Sequence, residues 1–525
     1  MTNPMVERIA ALDLGTNSFH LLIARIHPQN AMVILEKRRR EFVFLGRELE
    51  GDPPVFSQRG IQKALNVLQE FIAEGEKQGV SQWIACGTEA FRKAANAEVL
   101  LSKLRKSLGL EIRILTGEEE ARLIYEGVRH GLPLPEEPFL IMDIGGGSVE
   151  FIWGEGETIH HLFSVPLGVT ALQRLFAGTD PLSPSEIEAI RRHIKQTLTP
   201  HWRTLPQDKI THLIGTSGTF KTLGRLVAYH AGDGTASQTI HGFRFGPMLF
   251  YPVLQKLLTL PLSERLALKG MQAERAPLIP YGAILVDEIL HYLPIQVITI
   301  SDYALREGLI YDYVRQHFEV PSLQQAALRE QTVRTLAEKY QLPSQHAEYS
   351  RLWAERLFDE LKPLHGLGSQ EREWLGFSAY LHDIGHFINP SGHHKHGLYI
   401  LLNSPMPGFT SEELLLMANL TRYHRKGLPS SEHFHYSALP RAQKKTIGLL
   451  APLLRLADLL AKYLHHPPQG LEIRWNNHQV EIQITTSESN PQRYLPSIEA
   501  TTQEFFERSY NRHLVVSFTC QPSLD

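Results

Sequence analysis

The stretch Phe139-Leu-Ile-Met-Asp143-Ile-Gly145-Gly146-Gly147-Ser148-Val-Glu150-Phe-Ile-Trp153 decides how the rest of the chain is read. An apolar run ends in an aspartate, turns through three glycines and a serine, and leaves through a second apolar run. That pattern predicts a β-hairpin whose tip is free of side chains. Bare backbone N–H groups at such a tip can close on phosphate oxygens, and Asp143 stands where it can hold a cation or its water. A lone glycine turn is equally well a structural turn. A second copy shifts the balance. Ile9-Ala-Ala-Leu-Asp13-Leu-Gly15-Thr16-Asn17-Ser18-Phe-His-Leu-Leu-Ile-Ala24 repeats strand, aspartate, glycine turn, hydroxyl and strand about 130 residues upstream. Two such hairpins read as a duplicated domain facing itself across a cleft.

The 525 residues are too many for one core and suggest roughly three or four domains. A hydrophobic content of 42% and a charged content of 21% are ordinary for a globular protein. The net charge of −3 offers no global basic field, so a nucleic-acid partner is not expected and an anionic substrate must meet local cations. Two cysteines exclude a disulfide framework and suit a reducing compartment. The start, Met1-Thr-Asn-Pro-Met-Val-Glu-Arg8, shows no signal-peptide pattern, and no run of about 18 apolar residues predicts membrane insertion. The expected location is cytoplasmic.

Between the hairpins, Val33 to Leu45 reads as a strand carrying Lys37-Arg38-Arg39-Arg40, best taken as a solvated edge. Helical spacing over Ser57 to Lys77 is followed by the strand Trp83 to Cys86. In Thr116-Gly117-Glu118-Glu119-Glu120, any single glutamate is best read as serving a helix N-terminus. With phosphate-type hairpins on either side, one of the three is expected to face the cleft as a general base. Further on, Ile210 to Gly215 is a strand leading through Thr216-Ser217-Gly218-Thr219 into a helix, a third anion-type loop. From about Val320 long helices take over, and after Pro467-Pro468 alternation returns as a small αβ piece.

These motifs together carry a resemblance. Asp13 to Ser18, Gly117-Glu-Glu-Glu120-Ala-Arg-Leu-Ile124, Asp143 to Ser148 with Glu150, Gly215 to Thr219 and Leu305-Arg306-Glu307-Gly308 follow the order of the exopolyphosphatase / guanosine pentaphosphate phosphatase (PPX/GppA) family, which the chain resembles over about residues 8 to 315. Ile388-Asn-Pro-Ser-Gly392, Leu401-Leu-Asn-Ser404 and Arg422-Tyr-His-Arg-Lys426 extend the likeness to the family's long members. The implied fold is α/β: two actin-like (ribonuclease H-like) domains, 1–125 and 126–305, then an all-α HD-like domain, 306–466, and a small α+β domain, 467–525. The resemblance implies a catalytic Glu120, cation-side carboxylates Asp143 and Glu150 for Mg²⁺ (or Mn²⁺), and a phosphate-holding Arg92. It implies phosphate-binding loops at Asp13, Gly15, Thr16, Asn17 and Ser18, at Gly145, Gly146, Gly147 and Ser148, and at Ser217, Gly218 and Thr219. A homodimer is implied for the long form. Tyr303 departs from the family's usual glycine, so the backbone there is expected to be ordinary.

In the helical region His346, His382-Asp383 and Asp458 match the HD metal-ligand order and imply a second divalent ion, with His396 and His424 as candidates for another, while His393 to His396 read equally as a basic surface for polyphosphate. Arg422, Arg425 and Lys426 read equally as an anion grip or a solvated helix end. The leading expectation is Mg-assisted hydrolysis of the terminal phosphoanhydride of linear polyphosphate. The alternative within the family is pppGpp 5′-phosphohydrolysis; those of other classes are an actin-like ATPase or kinase and a non-catalytic alarmone sensor.

Overall fold

The computed structural model describes residues 7–27, 32–232, 240–318, 325–425 and 427–520. The chain forms two compact units, one of residues 1–328 with 407–410, the other of 329–406 with 411–525.

In the first unit the duplication read from the hairpins is a duplication of whole sheets. One sheet runs Met32–Phe42, Ser18–His27, Glu7–Leu14, Gln82–Gly87, Ile112–Ile114, an antiparallel meander extended by two parallel strands. The other runs Thr158–Val165, Val149–Glu155, Phe139–Ile144, His212–Thr216, Val297–Ile300 in the same sense, with Arg244–Phe245 added antiparallel at its edge. This doubled order is that of the actin-like pair the family likeness implies. The turns match atom for atom as well. Gly15 N–H donates to the Ser18 carbonyl at 3.1 Å and Gly145 N–H to the Ser148 carbonyl at 3.0 Å. A Cβ on Gly15 or Gly145 would stand 3.0 Å from that same carbonyl oxygen, a tight contact, so each turn favours glycine at its first position.

The boundary expected at residue 306 falls elsewhere. Helix Leu305–His317 packs on helix Gly117–Gly131, and Leu305, Leu309, Ile310 and Val314 share a core with Leu123, Ile124 and Val128. The two helices cross on glycines: a Cβ on Gly127 would overlap the Ala304 carbonyl, and one on Gly308 the Leu123 carbonyl. Close backbone packing therefore ties this helix to the first unit, which ends at Leu328. Tyr303 has no left-handed φ, as its bulk requires, and its ring packs on Gly131.

The second unit is built on helices Ser344–His365, Ser369–Leu381, His393–Asn403, Ser411–Tyr423 and Arg441–Leu464. The apolar stripe from Leu449 to Leu464 is its centre. The final segment expected as a domain of its own is not separate: its sheet, Gly470–Trp475, Gln479–Thr486 and His513–Cys520, and helix Leu495–Tyr510 contribute Leu471, Val480, Ile498 and Phe506 to the same core as Leu450 and Leu454. No helix among the described residues is long and apolar enough to cross a membrane.

Candidate active site

Between the two sheets of the first unit lies a cleft open to solvent. The two hairpin tips close on it from opposite sides. Thr170, two residues beyond Gly168, donates its hydroxyl to Asn17 Oδ1 at 2.7 Å, linking one tip to the support of the other. Beneath the second tip, the start of helix Val169–Leu175 receives its carbonyls: Gly168 N–H bonds Gly147, Val169 N–H bonds Gly145, and Thr170 N–H bonds Gly146 at 2.8 Å. With its carbonyls so engaged, the turn can present its remaining N–H groups to a ligand.

The acidic cluster comes from strand register and one helix cap. Asp143 and Glu150 are cross-strand partners, and Ser164 stands opposite Glu150 on the next strand, so the three form one row. Ser164 donates to Glu150 Oε1 at 2.8 Å. The three consecutive glutamates separate cleanly. Thr116 caps helix Gly117–Gly131 by accepting from Glu119 N–H, and Glu119 returns a bond to the Thr116 N–H, a reciprocal capping box. Glu118 is exposed, whereas Glu120, at the fourth position of the helix, is 7% exposed and faces the cleft. Gly117 allows this placement, since a Cβ there would press on Ser164.

Burial raises the proton affinity of every carboxylate in the cluster. Asp13 is pushed up to about 8, by burial and then by Glu120, with Arg306 opposing. Asp143 is raised to about 6 by burial, against Ser217, Lys221 and Arg275. Glu120 is raised by burial although Arg92 opposes it, and Glu150, 1% exposed, is raised by burial and by Glu120 and Asp143. Among the described residues no Lys, Arg or His makes an ion pair with Asp13, Asp143 or Glu150. Buried oxygens crowded in this way are a donor set suited to a divalent cation.

Asp13, Gly15, Thr16, Asn17, Ser18, Glu120, Asp143, Gly145, Gly146, Gly147, Ser148, Glu150, Ser217 and Gly218 all line the cleft, as expected. Two residues do not. Arg92 is turned behind Glu120, donating to Glu120 Oε2 at 2.7 Å and to the Leu115 carbonyl at 2.9 Å. It orients the glutamate; it does not line the phosphate side. Thr219 is buried and spends its hydroxyl on the Ile144 carbonyl at 3.3 Å. The helix after the third loop begins at Ser217, which takes a left-handed φ of 70° to enter it.

The cleft's cations went unread in the sequence. Arg40, Lys221, Arg275 and Arg306 line it, together with His20. The run Lys37-Arg38-Arg39-Arg40 is a solvated edge on one face only: on strand Met32–Phe42 alternate side chains diverge. Lys37 pairs with Glu74 and Arg39 with Glu70 on one face, while Arg38 pairs with Asp302 and Arg40 faces the cleft on the other. Lys221, one turn into the helix from Ser217, donates to Asp302 at 2.7 Å. Arg306 N–H meets His20 Nδ1 at 3.1 Å, and burial together with that charge holds His20 neutral. Arg275 lies across Gly218, where any Cβ would displace it. The alternation on the strand was a readable signal; Arg275 offered none.

In the second unit His346, His382, Asp383 and Asp458 do converge. His346 and His382 each place Nε2 at 3.2 Å from Asp458 Oδ1. His424 joins them, but its companion is His393 and not His396. Arg422 and Arg425 flank His424 in sequence, and Lys426 lies outside the described residues.

This arrangement has known counterparts. The chain is 28% identical over 96% of its length, and over 97% of the relative's, to the guanosine-5′-triphosphate,3′-diphosphate pyrophosphatase of Photobacterium profundum. It superposes on an exopolyphosphatase of Cytophaga hutchinsonii with a TM-score of 0.56 at 30% identity, covering 60% of this chain and 100% of that one. A Ppx/GppA protein of Aquifex aeolicus gives 0.52 at 25% identity over the same shares. The sequence profile of the Ppx/GppA phosphatase family matches residues 22–317, and that of its domain III matches 328–502. With more than half of its length under the first profile, and both facing hairpins in place, the chain belongs to the Ppx/GppA phosphatase family.

Proposed function

We propose that the chain hydrolyses the terminal phosphoanhydride of linear polyphosphate, by attack of a water oriented by Glu120. The observation that carries this reading is a cleft lined together by buried carboxylates, Glu120 among them, by two backbone turns and by four cations. Phosphoryl transfer asks little covalent chemistry of a protein; it asks for charge neutralisation and an in-line water. The N–H groups of the two tips and of Gly218 cradle the terminal phosphate, and Lys221, Arg275, Arg306 and Arg40 neutralise its oxygens and those of the next phosphates. Glu120, steered by Arg92, accepts the proton of the attacking water, a task suited to a carboxylate whose proton affinity is raised. Asp143 and Glu150 fit a Mg²⁺ or Mn²⁺ ion, which when bound would supply further neutralisation of phosphate charge.

A polymer favours the cations over any base-recognition surface, since phosphate charge is all it offers. The second reading, removal of the 5′ γ-phosphate of pppGpp, rests on the near full-length likeness to the Photobacterium profundum enzyme. Phosphate release from long-chain polyphosphate and from pppGpp, measured side by side with Mg²⁺, separates the two: polyphosphate turnover at a higher kcat/KM supports the first, and release from pppGpp alone replaces it with the second. We read the protein as cytoplasmic, as a homodimer in keeping with the family's long form, and its helical unit as HD-like.

Two further outcomes are expected. Lys221→Ala and Arg306→Ala each raise KM for polyphosphate by about tenfold or more, as charge-assisted contacts of roughly 1.5–3 kcal/mol are lost. Mg²⁺ raises the melting temperature of the wild type, whereas Glu150→Gln melts higher than the wild type without metal and gains little from Mg²⁺. Removing one of the crowded buried charges relieves repulsion and removes a cation donor at once. Scanning calorimetry with and without Mg²⁺ checks both halves.

A further inference from the structure

The two hairpins differ in chemistry at one matching position. Each carries an aspartate, a serine five residues on, and a further polar residue two beyond that: Asp13, Ser18 and His20 in the first, Asp143, Ser148 and Glu150 in the second. The strand register repeats as well, since Asp13 stands opposite His20 as Asp143 stands opposite Glu150. One half of the cleft therefore sets an imidazole where the other half sets a carboxylate. That exchange reverses the polarity of the neighbouring serine.

Glu150 accepts hydrogen bonds from Ser164, at 2.8 Å, and from Ser148, so the Ser148 proton is spent inside the protein. His20 is fixed the other way. Arg306 reaches its Nδ1 at 3.1 Å, and a guanidinium has donors only, so Nδ1 keeps its lone pair and Nε2 carries the proton. Nε2 lies 2.9 Å from the Ser18 hydroxyl oxygen, which must then accept. The proton of Ser18 itself has no acceptor among the described residues, and Ser18 lines the cleft. A protonated ring would set its Nδ1–H against the Arg306 N–H. Burial and the charges of Arg306, Lys221, Arg40 and Arg275 disfavour that form.

We propose that His20 is a positioning residue that makes Ser18 the donor hydroxyl of the cleft and seats Arg306 beside it, so that one neutral ring sets two contacts to the substrate's phosphates. The inference rests on the cleft taking a phosphoanhydride. The first hairpin gives its hydroxyl proton to phosphate oxygen, and the second gives its own to a cation-side carboxylate. A duplicated scaffold thus serves an anion on one side and a cation on the other. A hydroxyl that already accepts one hydrogen bond donates the next more strongly, since bonds in a chain polarise one another.

Two amides separate the two contacts. Glutamine reaches as far as Nε2 and still donates to Ser18; asparagine reaches only as far as Nδ1 and still accepts from Arg306. Measured on whichever of polyphosphate and pppGpp is turned over, Ser18→Ala is expected to lower kcat/KM about tenfold or more in wild type. The same change is expected to cost about threefold or less in His20→Asn and to keep its full effect in His20→Gln. Nitrogen-15 NMR of histidine-labelled wild type, with the His20 signal identified by its loss in His20→Gln, is expected to show the Nε2–H tautomer at pH 7. The tautomer is read without substrate, so failure of wild type to release phosphate would overturn the hydrolase reading and leave the state of His20 decided. An Nδ1–H tautomer or an imidazolium would overturn the proposal. So would an equal Ser18→Ala effect in wild type and His20→Asn, or an effect in His20→Gln no larger than in His20→Asn.

Discussion

Glu120→Gln is expected to fold normally and to lose phosphate release by about two to four orders of magnitude, with KM nearly unchanged. The isosteric amide keeps a hydrogen bond to Arg92, whose second bond, to the Leu115 carbonyl, does not involve Glu120 at all. The capping box that starts the helix belongs to Thr116 and Glu119, so the helix survives the change. What is lost is the carboxylate that we propose takes a proton from the attacking water. A fall in kcat with a conserved melting temperature is the signature of that role; a fall in both would make Glu120 a structural residue.

The second large effect comes from a residue that touches no substrate. Gly168 has a φ of −60°, which any residue adopts, so Gly168→Ala carries no backbone strain. Its cost is steric: the added methyl would overlap the backbone of Gly146 and Gly147. Backbone cannot swing aside as a side-chain tip can, so the turn must move off its supporting bonds from Gly168, Val169 and Thr170. A displacement of about 1 Å in a phosphate-holding element costs on the order of 10²-fold in rate. Gly168→Ala is therefore expected to lower kcat/KM for polyphosphate by about 10²-fold while the protein stays folded, checked by steady-state kinetics beside circular dichroism. An unaffected kcat/KM would mean that the second turn does not hold the reacting phosphate.

The sequence was most legible where chemistry is local. Both hairpin tips, the capped helix bearing Glu120 and the small-residue loop at Ser217 are written within short windows, because each depends on glycine, a cap or a strand period. Which of three glutamates enters the cleft was not written there; the capping box settles it by occupying Glu119 and leaving Glu118 to solvent. The cations of the cleft were missed because their partners are remote. Arg38 meets Asp302 across 264 positions, and no window shows that a basic strand at a sheet edge is covered on one of its faces. Arg92 was assigned to phosphate on likeness alone, whereas its geometry ties it to Glu120. The helix Leu305–His317 was given to the wrong unit for a similar reason, since the glycine crossing that fixes it joins Gly127 to residues about 180 positions on. In the helical unit His393 displaced His396 because the ring that matters opens its helix, bonded back to Pro390, and a sequence spacing cannot tell the two apart.

The most direct test of the central claim follows the products of linear polyphosphate by phosphorus NMR, with Mg²⁺ and ¹⁸O-labelled water. Attack by water on the terminal phosphate, held between the two hairpin tips, predicts orthophosphate as the only small product, each molecule carrying one solvent oxygen, with release abolished in Glu120→Gln. Internal fragments of the polymer, solvent oxygen on the shortened chain in place of the orthophosphate, or full release by the variant would contradict it.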